Sequence, residues 1–205
     1  MASLFFSFLI SASFLHLPPA NDPHIQIRFA PDWINGHVVL ETNDTVSCKL
    51  RFNQMVTEGL LQVLDGEQIL TLSVKDVKSF YYFDRKKNRY RTFFTLSVPL
   101  NNSVSREMFL EYVYGNEQIS ILNHKTMGFA HSYMDFAPVK QATFINKQYL
   151  LDLSTGQLLP MSKANALSLL GQNQKIASFI EKQGIRFRKV SDYVRIFEYR
   201  QSLLN

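Results

Sequence analysis

The chain has 205 residues, 46% hydrophobic and 19% charged, a balance that fits a folded globular protein and excludes a disordered one. Lys and Arg number 22 against 17 Asp and Glu, and the net charge of +5 permits contact with anionic lipid, polysaccharide or nucleic acid without requiring it. A single cysteine, Cys48, cannot close an internal disulfide, which excludes a disulfide-stapled module, while 17 Phe and 9 Tyr favour β structure.

The chain opens on an apolar run. Residues 4–17 are predominantly apolar, Pro18-Pro19-Ala20 follows, and no Lys, Arg, Asp or Glu precedes Asp22. This reads as a secretory leader over residues 1–20, too short for a bilayer-spanning helix of about 20 apolar residues. It lacks a basic start, and Pro18 sits poorly before a cut at Ala20, so an uncleaved anchor and an ordinary buried segment are the alternatives. Removal of the leader leaves a chain that fits a β-rich domain over 21–159 and a helical region over 160–205 packed on it.

Residues 21–159 have an apolar period of 2. The first candidate strands are 25–29 and 37–40, the latter turning through Thr42-Asn43-Asp44 into 46–52. There Val46, Cys48, Leu50 and Phe52 share one face, and Ser47, Lys49 and Arg51 the other. Strands 60–64 and 68–74 flank Asp65-Gly66, a pair suited to a type I′ turn. Strands 77–83 and 90–98 follow, then 108–114 and 118–122 joined at Gly115-Asn116, and finally 128–136, 142–145 and 149–153. The reading is mainly β (α+β overall), an antiparallel meander forming a barrel, roll or sandwich.

Beyond Leu159-Pro160 the period nears 3.6. Ser162 caps a helix that Gly171 ends, and Asn173 caps a second, carrying Ile176, Phe179 and Ile180, that Gly184 ends. Residues 185–187 read as an extended link. Ser191 opens a last helix with Val190, Tyr193, Val194, Phe197 and Leu204 on its apolar face.

Few residues suggest chemistry. His24, His37, His124 and His131 are scattered without zinc-ligand spacing, there is no Gly-x-Ser-x-Gly turn, and Cys48 reads as packing. Glu107 and Glu111 fall about 13 Å apart along a strand, too far for a retaining glycosidase pair, on what reads as a solvated face. No catalytic residue, metal site or cofactor is expected. The strongest charge feature is the loop carrying Arg85, Lys86, Lys87, Arg89 and Arg91 between Phe80-Tyr81-Tyr82-Phe83 and Phe93-Phe94. A cationic loop beside aromatics suits an anionic glycan, a lipid headgroup or a protein partner. A charged hairpin that discourages edge aggregation is the competing explanation. A second basic stretch, Arg186 to Lys189 with Arg195 and Arg200, reads as a solvated helical face. Asn43-Asp44-Thr45 and Asn101-Asn102-Ser103 match the glycosylation sequon, which matters only in a eukaryotic host.

Several phrases carry a family likeness: Gly36-His-Val-Val-Leu with Asp44-Thr-Val, Val77-Lys-Ser-Phe-Tyr-Tyr-Phe-Asp84 with Arg91-Thr-Phe-Phe, and, toward the C-terminus, Tyr149-Leu-Leu-Asp-Leu, Gly156-Gln-Leu-Leu-Pro160 and Asp192-Tyr-Val-Arg-Ile-Phe-Glu-Tyr199. In these the chain is similar to small secreted proteins of the Bacteroidetes for which no activity is established. The resemblance implies export to the periplasm or cell envelope of a Gram-negative bacterium, and no cofactor or catalytic residue. The expected function is a non-enzymatic protein binding an envelope partner, glycan or lipid through its β domain. A small apolar-ligand carrier with a barrel cavity and an uncharacterised enzyme are the alternatives. Nucleic acid is not expected as a partner, nor is integral membrane insertion once the leader is gone.

Overall fold

The computed structural model describes residues 32–53, 59–100, 104–134 and 137–204, with the backbone alone over 129–134 and 137–142. The leader, His24, the strand at 25–29 and the sequon at Asn101 lie outside the described residues. Ten strands form one antiparallel sheet: β1 (Ile34–Leu40), β2 (Thr45–Arg51), β3 (Leu60–Asp65), β4 (Gln68–Ser73), β5 (Val77–Asp84), β6 (Arg89–Pro99), β7 (Ser105–Gly115), β8 (Ile119–Met134), β9 (Ala137–Asp152) and β10 (Leu158–Pro160). Their order across the sheet is β10-β9-β8-β7-β6-β5-β1-β2-β3-β4. Three helices follow, α1 (Lys163–Leu170), α2 (Gln174–Lys182) and α3 (Val190–Ser202). The molecule is mainly β with its helices at the C-terminus, as the sequence reading expects. Among the described residues no helix is long and apolar enough to cross a membrane.

The sheet is open but rolls in two directions. β4 ends at Ser73 and β5 begins at Val77, although β1, β2 and β3 lie between them in the sheet. Four Cα steps span at most about 15 Å, while a flat sheet would hold those strands about 19 Å apart. The first half must therefore curl, and the Glu41 N–H donates to the Asp76 carbonyl at 3.0 Å, extending the β1–β5 pairing up to the start of β5. Inside this roll Val38, Leu50, Leu61, Val77, Phe80, Phe93 and Phe109 are buried together. Phe80 stacks on Phe93 with centroids 4.7 Å apart, and Phe52 meets Phe80, Phe93 and Phe109 edge-on. Packed rings fill the roll, which is how these aromatics serve the fold.

The second half curls about the opposite face. Val98, Met108, Leu110, Leu122, Tyr149 and Leu158 form its core, and β10 comes back against β6. The first face continues past β7 to the helices, where Ile119, Ile121 and Leu150 pack with Ala166, Leu170, Ile176, Tyr193, Ile196 and Phe197. β7 sits where these cores meet, so Met108, Phe109, Leu110 and Glu111 are buried in succession. A strand with one wet side cannot do this, and the solvated position expected for Glu111 is wrong. Glu107, nearer the start of β7, is exposed.

Local signals held with small shifts. Ser162 Oγ accepts from the Asn165 N–H, and the Asn173 side chain accepts from Lys175 and Ile176, capping α1 and α2 as read. The turn between β3 and β4 is Gly66-Glu67 rather than Asp65-Gly66, because Asp65 pairs with Gln68. Lys189 replaces Ser191 as the cap position of α3, and Asp192 Oδ2 accepts from the Arg188 N–H there. Phe187 has φ 57°, a left-handed turn and not an extended link. Leu204, assigned to the apolar face of α3, lies beyond the helix and is exposed. Val46 is also exposed, since β3 pairs with β2 only over Lys49, Leu50 and Arg51 and leaves its first half uncovered.

Candidate functional site

The β5–β6 hairpin carries both the predicted cationic loop and the residues around it. Register sets the faces: Phe80 pairs with Phe93, Tyr82 with Arg91 and Asp84 with Arg89, while Tyr81 pairs with Thr92 and Phe83 with Tyr90. The first set points into the roll. The second lies on its outer face, because successive residues of a strand alternate sides.

On the inner side the predicted cations divide. Arg91 is held by Glu111, with Nε on Oε1 and Nη2 on Oε2 both at 2.8 Å, and its Nη1 donates to the Tyr82 hydroxyl at 2.9 Å. Arg89 adds a bond to Glu111 at 3.3 Å, and Asp84 lies 3.8 Å from Arg91. The Glu111 side chain is only 3% exposed. Burial pushes its carboxyl upward, but the Arg91 hydrogen bonds and charge, with Lys87 and Arg89, outweigh that and hold it below the ordinary carboxylate range. Two parallel N–H···O bonds to a carboxylate are the strong form of such a pair. Arg91 is thus an internal clamp fixing the hairpin to β7, its guanidinium engaged by Glu111 and Tyr82. Arg89 is half committed to the same clamp.

Arg85, Lys86 and Lys87 stay exposed on the four-residue turn. Asp84 Oδ1 accepts from the Lys86 and Lys87 N–H groups, and Asn88 takes the left-handed φ of 49° that closes the turn. Burial and then repulsion from Arg91 and Lys125 push the Lys87 ammonium below its ordinary value. More positive charge therefore gathers here than Glu111 and Asp84 neutralise.

The outer face shows what the sequence reading missed. Tyr90 is 67% exposed and Phe83 38%, their rings 5.2 Å apart, and Tyr90 also meets Tyr81 edge-on at 6.4 Å. Tyr81 stacks on His37 of β1 at 4.7 Å, and His37 Nδ1 shares a hydrogen bond of 2.9 Å with Ser47 Oγ of β2. Between these rings runs an open groove of about 540 Å³, lined by Asn35, His37, Ser47, Lys49, Phe83 and Tyr90 over a floor of Gly36, Cys48 and Tyr82. Gly36 lies beneath the groove on the core-facing side of β1, where the close approach of Leu50 and β5 leaves no room for a side chain. A Cβ there would lie 2.5 Å from Leu50 Cδ2 and 2.6 Å from the Tyr81 carbonyl oxygen. Cys48 lines the groove from the core side of β2, its thiol pushed up by partial burial, which suits packing rather than thiolate chemistry.

Groove and turn form one surface: aromatic walls, an amide, a hydroxyl, an imidazole, one lysine within and three cations on the adjoining turn. Among the described residues no carboxylate lines it. Such a surface can stack on flat apolar faces, hydrogen-bond hydroxyls and attract negative charge. Two of the C-terminal cations are engaged elsewhere, Arg200 donating to the Leu169 carbonyl at 2.6 Å and Arg195 to Gln183 at 2.7 Å, while Arg186, Arg188 and Lys189 are exposed. No family model matches the chain, and comparisons with curated proteins and with solved structures find nothing similar.

Proposed function

We propose that this is an exported, non-enzymatic binding protein that takes an anionic glycan along the outer groove of its first roll. The observation that carries the reading is the exposed Phe83–Tyr90 pair beside a groove whose described lining holds hydrogen-bonding groups and a lysine but no carboxylate. Large aromatics left in water on a rigid sheet are a signature of recognition surfaces, where apolar area is retained for a ligand. Sugar rings offer an apolar face to such side chains and hydroxyls to Asn35, Ser47 and His37. Uronate or sulfate groups would meet Lys49, Arg85, Lys86 and Lys87. The leader-like run at 1–20 and the resemblance to Bacteroidetes envelope proteins support export to a compartment rich in such polymers.

Affinity electrophoresis of the full chain through gels containing a polyuronate or a neutral dextran tests this. Retardation is expected in the polyuronate alone and is lost in Tyr90→Ala and in Lys49→Ala. Equal retardation in both polymers, or an undiminished effect in Tyr90→Ala, would sink the reading.

A further inference from the structure

The longest feature of the molecule takes no part in that groove. β8 and β9 pair continuously from Ile119↔Asp152 to Met134↔Ala137. β8 pairs with β7 only as far as Asn123, and the Met161 N–H bonds the Gln148 carbonyl at the last contact of β9 with the segment after β10. From Lys125↔Asn146 outward, therefore, the described backbone of each strand pairs only with the other. Ten register pairs at this rise give an arm about 34 Å long.

A two-stranded ribbon standing alone is marginal in water, and this one is more apolar than water favours. Phe144 is 67% exposed and its neighbour Ile145 41%. Being consecutive in a strand, they point to opposite faces. Ile145 also lies across Gly128, where a Cβ would come within 2.4 Å of Ile145 Cδ1, so the ribbon is thin at this level. Its charge is net positive: Lys125, Lys140 and Lys147 lie on the two strands, against Asp135 alone between them. Lys87 stands near enough to Lys125 to feel its repulsion, so the turn cations gather at the arm's root.

We propose that the β8–β9 arm docks on an anionic lipid surface, Phe144 and Ile145 entering the interfacial layer and Lys125 and Lys147 meeting the headgroups. A folded partner or a second sheet covers one face of a ribbon, whereas a fluid interface wets both, and here both carry an exposed apolar side chain. A second copy of this chain would bring lysines against lysines. Two strands cannot close into a barrel, and an open ribbon is barred from hydrocarbon, where no water satisfies the backbone, so the arm lies in the interface and does not cross. Apolar burial plus charge attraction is the recipe of interfacial binding.

The experiment is co-sedimentation of the full chain with phosphatidylcholine vesicles, with and without phosphatidylglycerol. Binding is expected only when phosphatidylglycerol is present. It weakens by about fivefold for each of Lys125→Gln and Lys147→Gln, near the worth of one lysine at such a surface. Phe144→Ser with Ile145→Ser abolishes it while leaving polyuronate binding intact, and Tyr90→Ala does the reverse, so the two sites fail separately. Phe144→Trp, a milder change, gives a blue-shifted emission on phosphatidylglycerol vesicles. Equal binding to both vesicle types would overturn the proposal, as would full binding by the double serine variant. So would a dimer in light scattering that the double serine variant dissociates, since a second copy would then be the occupant.

Discussion

The two sides of the β5–β6 hairpin differ in what they do with nearly the same residue types. On the inner side Phe80, Tyr82, Arg91 and Phe93 are packed into the roll, and the cations there, Arg91 and in part Arg89, are met by a buried carboxylate. On the outer side Tyr81, Phe83, Tyr90 and Phe94 hold rings of similar size, partly or largely in water, beside the exposed cations of the turn. One side spends its aromatics on stability, and the other keeps them for contact. The difference comes from curvature: the roll closes over one face and leaves the other outside.

Breaking the inner side should have the largest effect. Phe93→Ala removes a fully buried ring touching Phe52, Phe80 and Tyr82, and a loss of about 3–5 kcal/mol is expected in urea unfolding. Next comes the clamp. Glu111→Ala strands Arg91 in a largely buried setting and should lower stability by about 3 kcal/mol. Because the folded-state carboxyl is held below its unfolded value, its contribution is full above the ordinary glutamate range near 4.3 and fades as pH falls through the lowered value. Wild-type unfolding midpoints measured against pH should therefore drop on that acid limb, and Glu111→Gln should flatten it. An unchanged acid limb in Glu111→Gln would show that the pair does not govern it.

A smaller loss, about 1–3 kcal/mol, is expected for Gly36→Ala, whose methyl has no room between Leu50 and the Tyr81 carbonyl. Tyr90→Ala sits at the far end of the scale. It should change stability by less than about 0.5 kcal/mol, and thermal unfolding beside the gel assay would separate its effect on binding from any effect on folding. A large fall in its unfolding midpoint would erase the contrast between the two sides.

Much of this was legible in the chain. Period-2 alternation gave β1 to β7, and Ser162, Asn173, Gly171 and Gly184 marked helix ends, because those signals act over a few residues. Curvature is not local. Whether Val46 or Leu50 is covered depends on where β3 joins β2, and whether Glu111 is wet depends on two cores meeting at β7. The pairing of Arg91 with Glu111 spans 20 residues. A trace of it was readable: Arg91 shares the parity of Phe93, and Glu111 that of Phe109, so two opposite charges stood at core positions of candidate strands. The outer groove was harder to find, because Asn35, His37, Ser47 and Lys49 look like the polar side of an ordinary hairpin until β5 lays Tyr81 and Phe83 beside them. The long arm was hidden for another reason. Its strands read as four short segments, 118–122, 128–136, 142–145 and 149–153, since no Gly or Asn marks the junction of β8 and β9.

The most direct measurement is amide shift mapping of the full chain titrated with a polyuronate oligosaccharide. The expected result is a set of shifts centred on Asn35, His37, Ser47, Lys49, Phe83 and Tyr90 and fading toward Phe80, Phe93 and Phe109 within the roll. Shifts centred instead on the basic stretch at Arg186, Arg188 and Lys189, or none at all, would contradict the assignment of recognition to the outer side of the hairpin.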